Sequence, residues 1–233
     1  MHTTRLSQDR GLADFGWLKS RHTFSFGDYF DPKHMGFGPL RVINEDRVEP
    51  GKGFGAHPHR DMEILSWVLD GTLEHKDSMG TGAQIQPGEL QRMSAGTGVV
   101  HSEFNASSTA PVHFLQIWIM PEERGLKPGY EQHRFDPADL ADQWRLIASR
   151  NPREGALKIH QDVDLYATRL AATHELTFVP AKGRKLWLQV ARGSIEVDGE
   201  TLNAGDAAAW TDVEKLAVLA KQDAELLLFD MTP

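Results

Sequence analysis

The 233-residue chain contains no cysteine. That excludes disulfides, thiolate nucleophiles, iron–sulfur clusters and Cys-type zinc sites, and it fits a cytoplasmic protein, which is our expectation. Positive charge is also in short supply. The 25 basic and 33 acidic side chains give a formal charge of −8 with His neutral. Only Lys182, Arg184 and Lys185 cluster. A protein that grips a phosphate backbone carries a basic stripe, so direct DNA or RNA binding is disfavoured. Long hydrophobic runs are missing as well. The longest apolar stretch, near 112–120, is far too short to span a bilayer. The N-terminal MHTTRLSQDRGLADFGWL lacks the apolar h-region of a signal peptide, so neither a targeting sequence nor a membrane partner is expected. Helix starts are scarce: only Asp136-Pro137 combines an N-cap with Pro at the first helical position.

What the chain does contain is short apolar or alternating runs, at 40–44, 63–69, 112–120, 186–190, 194–197 and 225–230. Turn pairs separate them, including Asp70-Gly71, Pro87-Gly88, Asp198-Gly199 and Gly205-Asp206. Many evenly spaced strands with few helices predict an all-β sandwich or barrel. Histidine is abundant, with 11 residues.

An internal repeat sharpens this reading. Val68, Gly71, Thr72, Leu73 and Glu74 match Val190, Gly193, Ser194, Ile195 and Glu196, and Pro87-Gly88-Glu89 answers Ala204-Gly205-Asp206. Counting outward from these anchors pairs His57-Pro58-His59 with Val179-Pro180-Ala181, and His101-Ser102-Glu103 with Val218-Leu219-Ala220. Two homologous β-units are expected, of which only the first carries a polar constellation. We place them at 1–135, binding a metal, and 136–233, lacking the ligands.

Alternate residues of a strand share a face, so His57 and His59 project together, as do His101 and Glu103. A lone His-x-His or His-x-Glu pair is a weak signal in a His-rich chain. Two such pairs at matched places of a duplicated unit are a stronger one. Three imidazoles and a carboxylate suit Fe, Ni, Cu or Zn better than Ca or Mg, and four protein ligands leave coordination positions open for substrate or dioxygen.

The spacing also fits the cupin pattern, with Gly51 before His57-x-His59 and Glu63, then Gly98-Val-Val-His101 before Asn105. Over essentially its whole length the chain resembles the pirin family of bicupins, and within it the bacterial pirin-like proteins with quercetin 2,3-dioxygenase activity. The resemblance is densest from His22 to Gly80 and in GELQRMSAGTGVVHSEFN. It implies a bicupin fold of two β-barrels (double-stranded β-helix or jelly-roll) and one metal held by His57, His59, His101 and Glu103. Fe(II) is our first expectation for that ion, ahead of Ni, Cu or Zn. The general cupin pattern would instead name Glu63 as the acidic ligand. That pattern expects a Gly seven positions later, where Asp70 stands. Glu63 is therefore expected to be a buried, hydrogen-bonded carboxylate, one able to orient a ligand His.

Other residues receive plainer expectations. His75, His113, His133, His160 and His174 lack partners at ligand spacing and are expected to be surface or structural. Phe24, Phe26, Phe37, Phe54 and Trp67 are offered to an aromatic pocket, with core packing as the commoner role. The Gly96-x-Gly98 pair is not a phosphate loop. The resemblance implies metal-dependent cleavage of a flavonol such as quercetin by O2 with release of carbon monoxide, with Glu103 as the base. The alternative is a non-catalytic metal-binding regulator of a transcription factor or a metabolic enzyme.

Overall fold

Two-residue alternation and turn glycines become strands and reversals along the whole chain. A computed structural model describes residues 2–232. The chain divides into two units: one comprises Gly11–Arg134 and Ile159–Gln161, the other the residues up to Arg10, Phe135–Lys158 and those from Asp162 onward. The division is thus discontinuous, whereas a single cut at 135/136 was expected. The one helix start is used: Asp136 caps α1 (Pro137–Leu140), accepting the Ala138 N–H at 2.8 Å. Among the described residues no helix is long and apolar enough to cross a membrane.

After β1 (His2–Arg5), which belongs to the C-terminal unit, come the strands of the N-terminal one: β2 (Gly11–Asp14), β3 (Leu18–His22), β4 (Leu40–Val48), β5 (Gly53–His59), β6 (Glu63–Asp70), β7 (Leu73–Asp77), β8 (Gly82–Ile85), β9 (Glu89–Ser94), β10 (Val99–Asn105), β11 (Val112–Ile119) and β12 (Gly129–Arg134). They form a seven-stranded sheet, β12-β9-β6-β11-β4-β3-β2, and a four-stranded sheet, β5-β10-β7-β8. The C-terminal unit holds β13 (Arg145–Ser149), β14 (Leu157–Lys158), β15 (Val163–Leu170), β16 (Glu175–Phe178), β17 (Lys185–Arg192), β18 (Ser194–Val197), β19 (Glu200–Asn203), β20 (Ala207–Thr211), β21 (Leu216–Ala220) and β22 (Ala224–Met231). With β1 they form β1-β20-β17-β22-β15-β13-β14 and β16-β21-β18-β19, which repeat the plan in the central strands, while the edge pair β13-β14 is parallel where β2-β3 is antiparallel.

Gly71 and Gly193 show why the repeat kept its glycines. Both have φ near +80°, and a Cβ would stand 2.8 Å from the Pro111 carbonyl oxygen in one unit and 2.1 Å from that of Asp223 in the other. Only Gly meets both demands.

The repeat alignment fails at one place. Val179 and Ala181 lie beyond the end of β16, and Val179 is 70% exposed. In the C-terminal unit Leu176 pairs with Val218 and Phe178 with Leu216, as His57 pairs with His101 and His59 with Val99 in the N-terminal one. Counting back from Val190 crosses the loop 179–184, which is longer than its counterpart 60–62. Surface loops tolerate such length changes, so counting across them loses register.

Interior residues differ more than topology does. Asn44, Gln116, Ser66 and Gln91 form a register-matched row across β4, β11, β6 and β9, and all four are buried. The matching row in the C-terminal unit is Tyr166, Leu228, Leu188 and Ala208, part of one apolar cluster with Val218, Leu216 and Ile195.

Candidate metal centre

The edge strand β5 pairs antiparallel with β10, which places His57 opposite His101 and leaves His59 on the same face two residues on. An irregularity between His101 and Glu103 shifts the register by one, so that Glu103 faces Phe54. The ring centroids of His57, His59 and His101 lie 4.4–4.8 Å apart, and one nitrogen from each falls within 4.8 Å of the others. His57 Nδ1 lies 2.7 Å from the Gly55 carbonyl oxygen, which can only accept, so Nδ1 carries the proton and Nε2 keeps its lone pair. His101 Nε2 is buried and has no hydrogen-bond partner. An orphaned imidazole nitrogen beside two others is a donor set suited to a late first-row ion.

Electrostatics point the same way. Burial, aided by His57, His59 and His75, holds the His101 imidazole down at about 2. Burial and His57 lower His59 to about 4. Both rings are therefore neutral at ordinary pH, as ligation demands.

Glu103 is buried and stands outside that close trio. Gln116 Nε2 donates to it at 2.7 Å, and the Ser66 hydroxyl lies 3.3 Å from its other oxygen. Burial, with Asp46 adding repulsion, raises its carboxyl to about 7 against the lowering effect of those hydrogen bonds.

Glu103 and His57 line a cavity of about 560 Å³, together with Phe26, Tyr29, Phe54, Trp118 and the acids Asp14, Asp28 and Asp46. Trp118 meets His59 edge-on at 4.9 Å and Phe26 at 5.3 Å. Of the five aromatics considered from sequence, Phe26 and Phe54 line this cavity, while Phe24 and Trp67 are fully buried in the core. Glu63 lies elsewhere: it is buried, accepts from Ser94 at 2.9 Å and meets His160 at 3.2 Å.

His75 was expected among the surface or structural histidines. It is neither exposed nor remote. Its ring is fully buried, with Nδ1 3.4 Å from His101 Nδ1 and Nε2 2.9 Å from Asp77 Oδ2. On β7, His75 pairs with Glu103 and Asp77 with His101, so three adjacent strands each present two polar residues at alternate positions to one face. The signal was the spacing of His75-x-Asp77 itself, which repeats that of the other two pairs.

The sequence matches the Pirin family over residues 4–119 and the quercetinase C-terminal cupin domain over 146–231. The chain belongs to the pirin family. Its relatives include quercetin 2,3-dioxygenase of Escherichia coli K12, 49% identical across 98% of both chains. Among solved structures, bacterial pirin YhhW of Escherichia coli in complex with nickel(II) is 48% identical, covers all of both chains and superposes with a TM-score of 0.95. A quercetin 2,3-dioxygenase from Acinetobacter baumannii, at 20% identity and a TM-score of 0.78, shares the fold. The two-barrel bicupin architecture expected from the strand pattern and the resemblance is the one observed.

Proposed function

We propose that this pirin is a metal-dependent dioxygenase that opens flavonols such as quercetin, taking up O2 and releasing carbon monoxide. One observation carries the reading: three imidazoles with available ring nitrogens converge beside a cavity walled by aromatic rings. The named activity and the nickel complex of its relatives support it. His57, His59 and His101 would hold the ion, and Glu103, on the same face of β10, would complete the set. Fe(II) is our first choice for this chain. When bound, the ion supplies Lewis-acid polarisation of the flavonol 3-hydroxy-4-oxo group and a site for oxygen chemistry.

The chain's own residues do the rest. A cavity of about 560 Å³ suits a three-ring phenol, and Phe26, Phe54 and Trp118 offer flat apolar faces to it. Among the described residues no Lys or Arg lines that cavity, whereas Asp14, Asp28 and Asp46 do, so it favours a neutral ligand bearing hydroxyl donors over an anionic one. Glu103 takes the 3-hydroxyl proton. Gln116 Nε2, donating at 2.7 Å, holds that carboxylate in place.

The test is spectroscopic. Quercetin added anaerobically to metal-loaded protein should show a red-shifted band, and admitting O2 should bleach it with one carbon monoxide per flavonol. A red shift without oxygen consumption would replace the enzyme with a metal-binding regulator.

A further inference from the structure

Resting on the metal reading above, we infer that His75 and Asp77 are positioning residues that set the proton arrangement on His101 and so make its Nε2 available to the ion. Asp77 Oδ1 accepts the backbone N–H groups of Met79 at 2.8 Å and Thr81 at 3.1 Å, which leaves Oδ2 for His75 Nε2 at 2.9 Å. An ionised carboxylate only accepts, so His75 carries its proton on Nε2 and presents a lone pair at Nδ1. That lone pair faces His101 Nδ1 at 3.4 Å, so His101 donates from Nδ1 and its Nε2 is bare. Each proton position fixes the next, from two backbone amides to the centre of the trio. Tyr130 lies 4.8 Å from the His75 ring and tilted 32° to it, which confines the link to this orientation. His57 obtains the same result more simply, from one carbonyl.

The arrangement makes an isosteric test possible. In Asp77→Asn the Met79 and Thr81 N–H groups keep the amide oxygen at the Oδ1 place, so the NH2 group must face His75. His75 then has to accept at Nε2 and donate from Nδ1, and the His101 proton is displaced to Nε2, into the trio. Outer partners of metal-bound His are typically worth ten- to hundredfold in affinity.

Two measurements decide it. Long-range ¹H–¹⁵N spectra of the metal-free wild type should show His75 protonated on Nε2 and His101 on Nδ1, with both interchanged in Asp77→Asn. Titration with Ni(II) alone should show a loss of about ten- to hundredfold in affinity for Asp77→Asn, with the metal-free melting temperature little changed. His75→Phe, which keeps a ring against Tyr130 but no acceptor, should weaken Ni(II) similarly. A wild-type His101 protonated on Nε2, or unchanged Ni(II) affinity in both variants, overturns the inference. If the wild type itself takes up no Ni(II), the metal reading falls and this one falls with it.

Discussion

The N-terminal and C-terminal barrels share the order of their central strands, β9-β6-β11-β4 and β20-β17-β22-β15, and of their four-stranded sheets, yet the row of side chains that crosses the first is polar and the row that crosses the second is largely apolar. Where Asn44, Gln116 and Ser66 cross the first, Tyr166, Leu228 and Leu188 cross the second. Where His57 faces His101, Leu176 faces Val218. The comparison shows that the scaffold does not require the polar constellation. Among the described residues the buried imidazoles, His22, His75 and His101, all lie in the N-terminal unit, and burying them costs stability that an aliphatic core would supply, which fits the proposal that the metal is held there.

Removing a ligand should produce the largest effect. His57→Ala or His101→Ala should abolish Ni(II) uptake and the flavonol red shift while leaving the fold intact, because an imidazole is lost that belongs to none of the apolar clusters. Native mass spectrometry of the wild type should find one ion per chain. Two tightly held ions would break the contrast between the barrels.

Next in size is the mirror-image cut. Leu228→Ala, in the C-terminal cluster, should lower unfolding free energy by about 2–5 kcal/mol in denaturant titrations and leave Ni(II) affinity unchanged. A loss of metal there would mean the second barrel participates in the site.

The two acids of the N-terminal barrel separate at a smaller scale. Glu63→Ala leaves Ser94 and His160 without their acceptor and should cost about 1–3 kcal/mol of stability with metal affinity intact. Glu103→Ala should weaken Ni(II) binding far more than Glu63→Ala does. The opposite order in a metal titration would restore Glu63 as the ligand of the general cupin arrangement.

The smallest effect is in pH dependence. Glu103 has its carboxyl raised from 4.5 to about 7, so the folded state holds a proton that the unfolded chain has already released. Its contribution is present below 4.5 and is lost as pH rises through 7. His59 and His101, lowered from 6.5 to about 4 and about 2, act oppositely: their stability is present above 6.5 and lost on acidification. In metal-free Glu103→Gln the decline in melting temperature between pH 5 and 8 should flatten, while the acid limb stays. An unchanged profile would mean that Glu103 does not titrate in this window.

Most of the architecture was legible because period-two alternation and turn glycines are local. Val68 and Gly71 with Val190 and Gly193 were enough to find the duplication, since the glycine conformation and the close backbone approach recur in both units. His57-x-His59 and His101-x-Glu103 could be placed on strand faces for the same reason. The equivalence of Val179 with His57 failed because it was counted across a loop whose length had changed. His75 was passed over because its partner at ligand distance, His101, is distant in sequence and adjacent only in the sheet.

The amino-acid sequence by itself determined which residues alternate, where the chain turns, and which of the two units retained donor side chains, all properties of neighbours along the backbone. The tertiary structure decided which strands lie side by side. That made His101 the neighbour of both His57 and His75, separated Glu63 from the site, and brought Gln116 to Glu103. The reason is physical: a β-strand specifies the face of each side chain locally, but its cross-strand partner is chosen by long-range pairing and core packing, which no local spacing encodes.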